Sequence, residues 1–142
     1  MTERSGAPSV DVLVIPANRA MIYWNQAKPI LWPALDTGEI APEKVIENLL
    51  AGNMQLWIAF DGEIIGGAIT EVVRYWKVRS LRVIALAGER FEEWREPMDA
   101  LFERFGQAHD CSRIELYGRK GWARRLPNYS VNRVMMSREI DG

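Results

Sequence analysis

Residues 78–117 read VRSLRVIALAGERFEEWREPMDALFERFGQAHDCSRIELY, and their order decides the fold. Leu81, Val83 and Ala85 alternate with Arg82, Ile84 and Leu86, so the second half of the first run is apolar on both faces. A strand covered from both sides reads this way. After Gly88 the period changes: Phe91, Trp94, Met98, Leu101, Phe102 and Phe105 keep a helical phase. Pro97 interrupts it, and a proline inside a helix loses a hydrogen bond and clashes with the preceding turn, at about 3 kcal/mol. The spacing therefore predicts a short turn over Phe91 to Arg95, a main helix from Pro97 to about Ala108, and a further strand from Arg113 to Tyr117. Strand–turn–helix units that hold a phosphorylated cofactor place a glycine-rich turn at the first junction, where unpaired N–H groups and the helix dipole favour an anion. This junction has one glycine, Gly88, followed by Glu89, Arg90, Phe91, Glu92 and Glu93.

Upstream, Gln55 to Phe60 is a strand, Asp61-Gly62 a strong hairpin signal, and Glu63 to about Tyr75 the returning strand. Gly66-Gly67 within it predicts a bulge or a close backbone approach. The third strand runs from about Val78 to Ala87. Pro42 to Ala51 reads as a helix, with proline at its first position, Val45, Ile46, Leu49 and Leu50 on one face and Gly52-Asn53 as its stop. Val10 to Ile15 is a first strand and Asn18 to about Gln26 a helix. Pro29 and Pro33 are expected to break any longer helix, leaving Ile30 to Leu35 as a second short helix or loop that ends at Asp36-Thr37-Gly38. After the strand at Tyr117 come a short helix around Trp122 to Leu126 and a last strand from Val131 to Arg138. The fold class is α/β in the α+β sense: a mixed β-sheet flanked by helices.

The length, 142 residues, suits one domain over residues 10–142 preceded by a flexible tail at 1–9. A formal net charge of -1 gives no global argument for nucleic acid or an anionic membrane surface. Cys111 is the only cysteine, and with His109, the only histidine, it is too little for a metal centre. Their i, i+2 spacing makes them a surface histidine and a buried thiol rather than a catalytic pair. No run approaches the roughly 20 apolar residues of a membrane span, and the polar start has no secretion-signal core, so a cytoplasmic protein is expected. Two basic runs stand out, Arg74-Lys77-Arg79-Arg82 and Arg119-Lys120-Arg124-Arg125. Meeting in space they would hold a phosphorylated ligand; apart, they are solvated surface. Of the six tryptophans, Trp57 and Trp76 flank the hairpin and are expected to be buried in the core or on the sheet.

The order of elements resembles the GNAT-type N-acyltransferase superfamily. Residues 56–67, LWIAFDGEIIGG, look like its second and third strands, Ser80 to Ala87 like its fourth, and Gly121-Trp122-Ala123-Arg124-Arg125-Leu126 with Asn128-Tyr129 like its last helix and the pair that follows. The resemblance implies acetyl-CoA or another acyl-CoA lying between parted fourth and fifth strands, with an amine, small or on a protein, attacking the thioester directly. Ile84, Ala85 and Leu86 would supply the strand edge, and Gly88, Glu89, Arg90 and Phe91 the pyrophosphate turn. Glu71 on the third strand is the carboxylate placed to take a proton from the amine. No metal is implied. Two departures from the family pattern are legible: the turn is poor in glycine and rich in glutamate, and the position of the family's acidic tyrosine falls near Ala123 or Arg124. The alternative reading is a non-catalytic binding or structural module on the same fold, as a homo-oligomer or part of a larger assembly.

Overall fold

The computed structural model describes residues 10–35, 40–117, 121–134 and 136–140. The tail at 1–9, the Asp36-Thr37-Gly38 turn and the Arg119-Lys120 pair lie outside them. The elements in order are β1 (Asp11–Ile15), a 3-10 turn (Ala17–Arg19), α1 (Ala20–Leu35), α2 (Pro42–Ala51), β2 (Met54–Phe60), β3 (Ile64–Arg74), β4 (Arg79–Gly88), α3 (Phe91–Ala108), β5 (Arg113–Leu116) and α4 (Trp122–Arg125). They form a mixed five-stranded sheet in the order β1-β2-β3-β4-β5, antiparallel up to β4 and parallel between β4 and β5. α2 ends as its sequence implies, on Gly52 in the left-handed region.

Two proline expectations fail in the same way. α1 runs unbroken through Pro29 and Pro33, and α3 through Pro97. All three prolines sit on exposed faces, where a carbonyl that loses its helical donor can bond water instead. The buried stripes continue on either side: Ala20, Trp24, Ala27, Leu31 and Leu35 in α1, and Phe91, Trp94, Met98, Phe102 and Gly106 in α3. Packing of those stripes outweighs the lost bonds. The last expected strand also fails. The described residues between Val131 and Arg138 join no sheet, and Val131, Val134, Met136 and Ile140 are exposed. β-propensity reflects packing against a neighbouring strand, and alternation without a neighbour does not make one.

The sheet separates two apolar layers. α1 and α2 cover one face with Trp24, Leu31, Val45, Leu56, Ile58 and Ile69, while α3 covers the other with Trp57, Leu81, Val83, Trp94, Met98 and Phe102. Gly66 and Gly67 are the close approach their sequence predicts. A Cβ on Gly67 would stand 2.3 Å from the carbonyl oxygen of Trp57, and one on Gly66 2.5 Å from Cζ2 of Trp94. Trp57 is core, as expected, but Trp76 is not buried at all: it stands at the β3–β4 turn with 92% of its surface exposed.

Candidate functional site

The site begins with an irregularity in β4. Ile69 pairs with Ala85 and Thr70 with Val83, so Ile84 is an extra residue opposite nothing on β3. Such a bulge bends a strand and sharpens its twist. On the other side, β5 follows β4 only from Ser80 to Val83, where Leu116 is its last paired residue. From Ile84 to Gly88 the β5-facing edge of β4 has no partner among the described residues. The expected strand edge, Ile84, Ala85 and Leu86, is thus the stretch where β4 and β5 part.

The turn that follows is tightly tied. Gly88 has φ of 144°, and a Cβ there would stand 2.3 Å from Cα of Gly66. The Glu89 amide donates to the carbonyl of Ile65 at 2.8 Å, and the Glu89 carbonyl accepts the Trp94 indole N–H at 2.8 Å. Arg90 adopts a left-handed conformation, φ 56° and ψ 37°, at the N-cap of α3. Its guanidinium grips both oxygens of Glu93 at 2.7 and 2.9 Å and reaches Asp61 in the β2–β3 hairpin at 2.8 Å. Those bonds raise the Arg90 pKa above its ordinary value and lower that of Glu93. Arg90 is therefore engaged by two carboxylates rather than turned toward a ligand. Glu92 meets Arg95 at 3.2 Å and Arg125 of α4 at 3.9 Å.

Between the parted strands, α3 and the α4 region close most of the space. Val83, Leu86, Phe91, Met98, Leu116, Leu126 and Tyr129 line a crevice of only ≈ 10 Å³, about one water. Phe91 packs edge-on against Trp122 at 5.3 Å between ring centroids, and the Arg125 guanidinium lies 4.6 Å from the Phe91 ring centre. The Tyr129 hydroxyl donates to Asp99 at 2.5 Å, and burial, then that carboxylate, pushes the Tyr129 pKa far up. Of the two basic runs, the described residues stand at opposite ends of β4. Arg79 opens β4, whereas Arg125 stands beside the turn at its other end.

On the α1 side of the sheet lies a polar cluster. Glu71 is the cross-strand partner of Arg82, and Arg82 that of Glu115 on β5. Arg82 donates to the Tyr75 hydroxyl at 2.8 Å, and Tyr75 donates to Glu115 at 2.9 Å. Arg113 donates to the buried Ser80 hydroxyl at 2.7 Å. Burial disfavours the Glu115 carboxylate, but hydrogen bonds from Ser80, Tyr75 and Tyr117 and the Arg82 charge prevail and lower its pKa. Tyr75, then burial and Glu115, raise the Tyr117 pKa. Arg82 Nε and Glu115 Oε1 remain buried without a hydrogen-bond partner. Glu71, half-exposed beside them, has no ion pair or hydrogen bond to another described residue.

Of this cluster the sequence points to Glu71 as a base and to Arg82 only as part of a basic run. The signal for the rest is the polar alternation Arg113, Glu115, Tyr117 in step with Ser80 and Arg82, which marks one polar face across two strands. The place of Tyr129 in the crevice depends on the chain's path past α4. His109 is a surface residue at the end of α3, its ring on the carbonyl of Phe105 at 2.9 Å. Cys111 is half-buried rather than fully buried, and burial raises its thiol pKa.

Lowered pKa at Glu115 has a consequence for stability. A carboxylate whose folded pKa lies below its unfolded value of about 4.5 stabilises the fold above that pH, and the contribution disappears as pH falls through the folded pKa. Urea unfolding should therefore show Glu115→Gln weaker than the parent at pH 7, with the gap shrinking as pH falls below about 4.5. A gap constant with pH would mean that the charge contributes nothing.

The architecture is thus a bulged β4 that parts from a parallel β5, with a helix starting at the end of β4. Solved structures bear this out: the chain has a GNAT-type N-acyltransferase fold. It is similar to an aminoglycoside acetyltransferase from an uncultured soil metagenomic sample, at 13% identity and TM-score 0.71 over 95% of this chain and 99% of that one. It is similar also to a predicted acetyltransferase with acetyl-CoA from Clostridium acetobutylicum, at 13% identity and TM-score 0.65 over 93% and 96%. A third is glucosamine-6-phosphate N-acetyltransferase from Arabidopsis thaliana, at 9% identity and TM-score 0.64 over 94% and 100%. No protein-family model and no curated protein matches the sequence. No described helix is long and apolar enough to cross a membrane.

Proposed function

We propose that this chain is an acyl-CoA-dependent N-acyltransferase, and the observation that carries the reading is the unpaired edge of β4 that starts at the Ile84 bulge. The backbone donors and acceptors of Ile84, Ala85 and Leu86 suit an extended amide-bearing arm, which would pair with them as a strand does. Beyond them, the amides of Arg90, Phe91 and Glu92 at the start of α3 have no described backbone acceptor and would be the donors to a pyrophosphate. Bound acyl-CoA would supply the activated thioester carbonyl. An amine would approach from the α1 side of the sheet, where Glu71 would accept its proton beside the Arg82–Glu115 ion pair. Tyr129 lines the crevice, but its proton is engaged by Asp99 and its pKa is raised, so it is a structural bond and no proton donor. The backbone fits the arm; the ≈ 10 Å³ crevice admits it only if Trp122 and Leu126 shift outward from Phe91.

That closure favours a second reading, the non-catalytic module. Arg90 is taken up by Glu93 and Asp61, and aromatic packing fills the gap. Calorimetric titration with acetyl-CoA separates the two. Under the first reading, heat is evolved and saturating ligand stabilises the fold, by about 2.7 kcal/mol at a hundred times Kd. No heat and no change in melting temperature at millimolar acetyl-CoA would leave the module.

A further inference from the structure

The β3–β4 hairpin carries a second candidate site at the opposite end of β4. Arg74 and Arg79 are direct cross-strand partners, so two like charges face each other on one side of the ribbon. Such pairs destabilise a sheet unless something lies between them. Arg79 is partly answered: it donates to the His109 carbonyl at 3.0 Å and stands 3.9 Å from Asp110. Arg74 and Lys77 have no ion pair or hydrogen bond to any described residue. Together Arg74, Lys77, Arg79 and Asp110 line an open groove of ≈ 300 Å³, three cations against one carboxylate. At its rim the turn closes with the Tyr75 amide on the Val78 carbonyl at 2.8 Å and lifts Trp76 into solvent with both ring faces bare. An exposed tryptophan on a short, hydrogen-bonded turn is an ordered stacking surface, and the adjoining cations form a groove for an anion.

We infer that this hairpin binds a nucleoside phosphate, free or as one unit of a single strand, with the phosphate between Arg74, Lys77 and Arg79 and the base on Trp76. A flat ring explains the bare tryptophan, and an anion relieves the opposed arginines. The concavity argues against a membrane surface, which would meet a convex apolar tip. The groove is five residues along β4 from the Ile84 bulge, roughly 16 Å at ~3.3 Å per residue, so the inference does not depend on acyl transfer.

Fluorescence anisotropy of the full chain with a labelled twelve-nucleotide oligoadenylate RNA tests it, with adenosine monophosphate, duplex DNA and phosphatidylserine vesicles as separate arms. Saturable binding to the single strand that weakens with salt is expected. Trp76→Ala should weaken it about tenfold at unchanged melting temperature, since that side chain is exposed, and Arg74→Ala should lower the salt slope by about one without lowering the melting temperature, since it removes the opposed charge. Binding of the mononucleotide with the same sensitivity to Trp76→Ala would support the site and identify a free nucleotide as its ligand. The inference is overturned if neither single strand nor mononucleotide binds, if only duplex or vesicles bind, or if both variants bind like the parent.

Discussion

Replacing Trp94 with alanine is expected to lower the unfolding free energy by about 3–5 kcal/mol, the range for deleting a large aromatic from a packed core. Trp94 has no exposed surface. Its ring meets Phe91 edge-on at 4.9 Å, its Cζ2 occupies the space that Gly66 leaves open, and its indole N–H is bonded to the Glu89 carbonyl. The variant would leave a cavity beneath β3 and strip a donor from the turn that joins β4 to α3. Urea denaturation measures the loss. A change under about 1 kcal/mol would show that the turn is held by Arg90 and its carboxylates instead. Trp94→Phe should fall between, since it keeps most of the packing and loses the hydrogen bond.

Glu71→Gln is expected to lower kcat by about 10²–10⁴-fold while leaving the melting temperature and acetyl-CoA binding as they were. Two carboxylates occupy the α1 face of the sheet, and their surroundings separate their roles. Glu115 is held ionised by Ser80, Tyr75, Tyr117 and Arg82, and a carboxylate so stabilised is a poor proton acceptor. Glu71 lacks such partners and lies beside the place where β4 bulges. A thiol-release assay with a panel of primary amines reads the effect. Full activity in Glu71→Gln, with loss in Glu115→Gln at preserved stability, would move the base to β5. Absence of turnover in the parent despite acetyl-CoA binding would mean that the panel lacks the acceptor.

Much of the fold was legible because side-chain periodicity reports burial directly. The change from alternation in residues 81–86 to helical phase from Phe91 marks the β4–α3 junction within two residues, and Asp61-Gly62 marks the hairpin. Prolines misled for a physical reason. A sequence shows the bond that Pro29, Pro33 and Pro97 forfeit, but not that each faces water on a helix whose buried stripe passes intact beneath it. The strand expected after Val131 misled in the opposite direction, since β-propensity is realised only against a partner edge.

The candidate site was less legible because its parts are far apart in sequence. Arg90 looked available for a phosphate, and only the folded hairpin brings Asp61, 29 residues upstream, onto its guanidinium. Trp76 looked like another buried tryptophan, and only the tight turn between β3 and β4 turns it outward. Local pattern by itself determined the order of the five strands, the glycines of close approach and the poverty of glycine after β4, because these depend on near neighbours and on backbone sterics. Tertiary structure decided where β4 and β5 part, that aromatic side chains narrow the gap, and which charges in the Gly88 to Trp94 turn are already spoken for. Those outcomes rest on a one-residue bulge and on pairings between distant segments, which no local periodicity encodes.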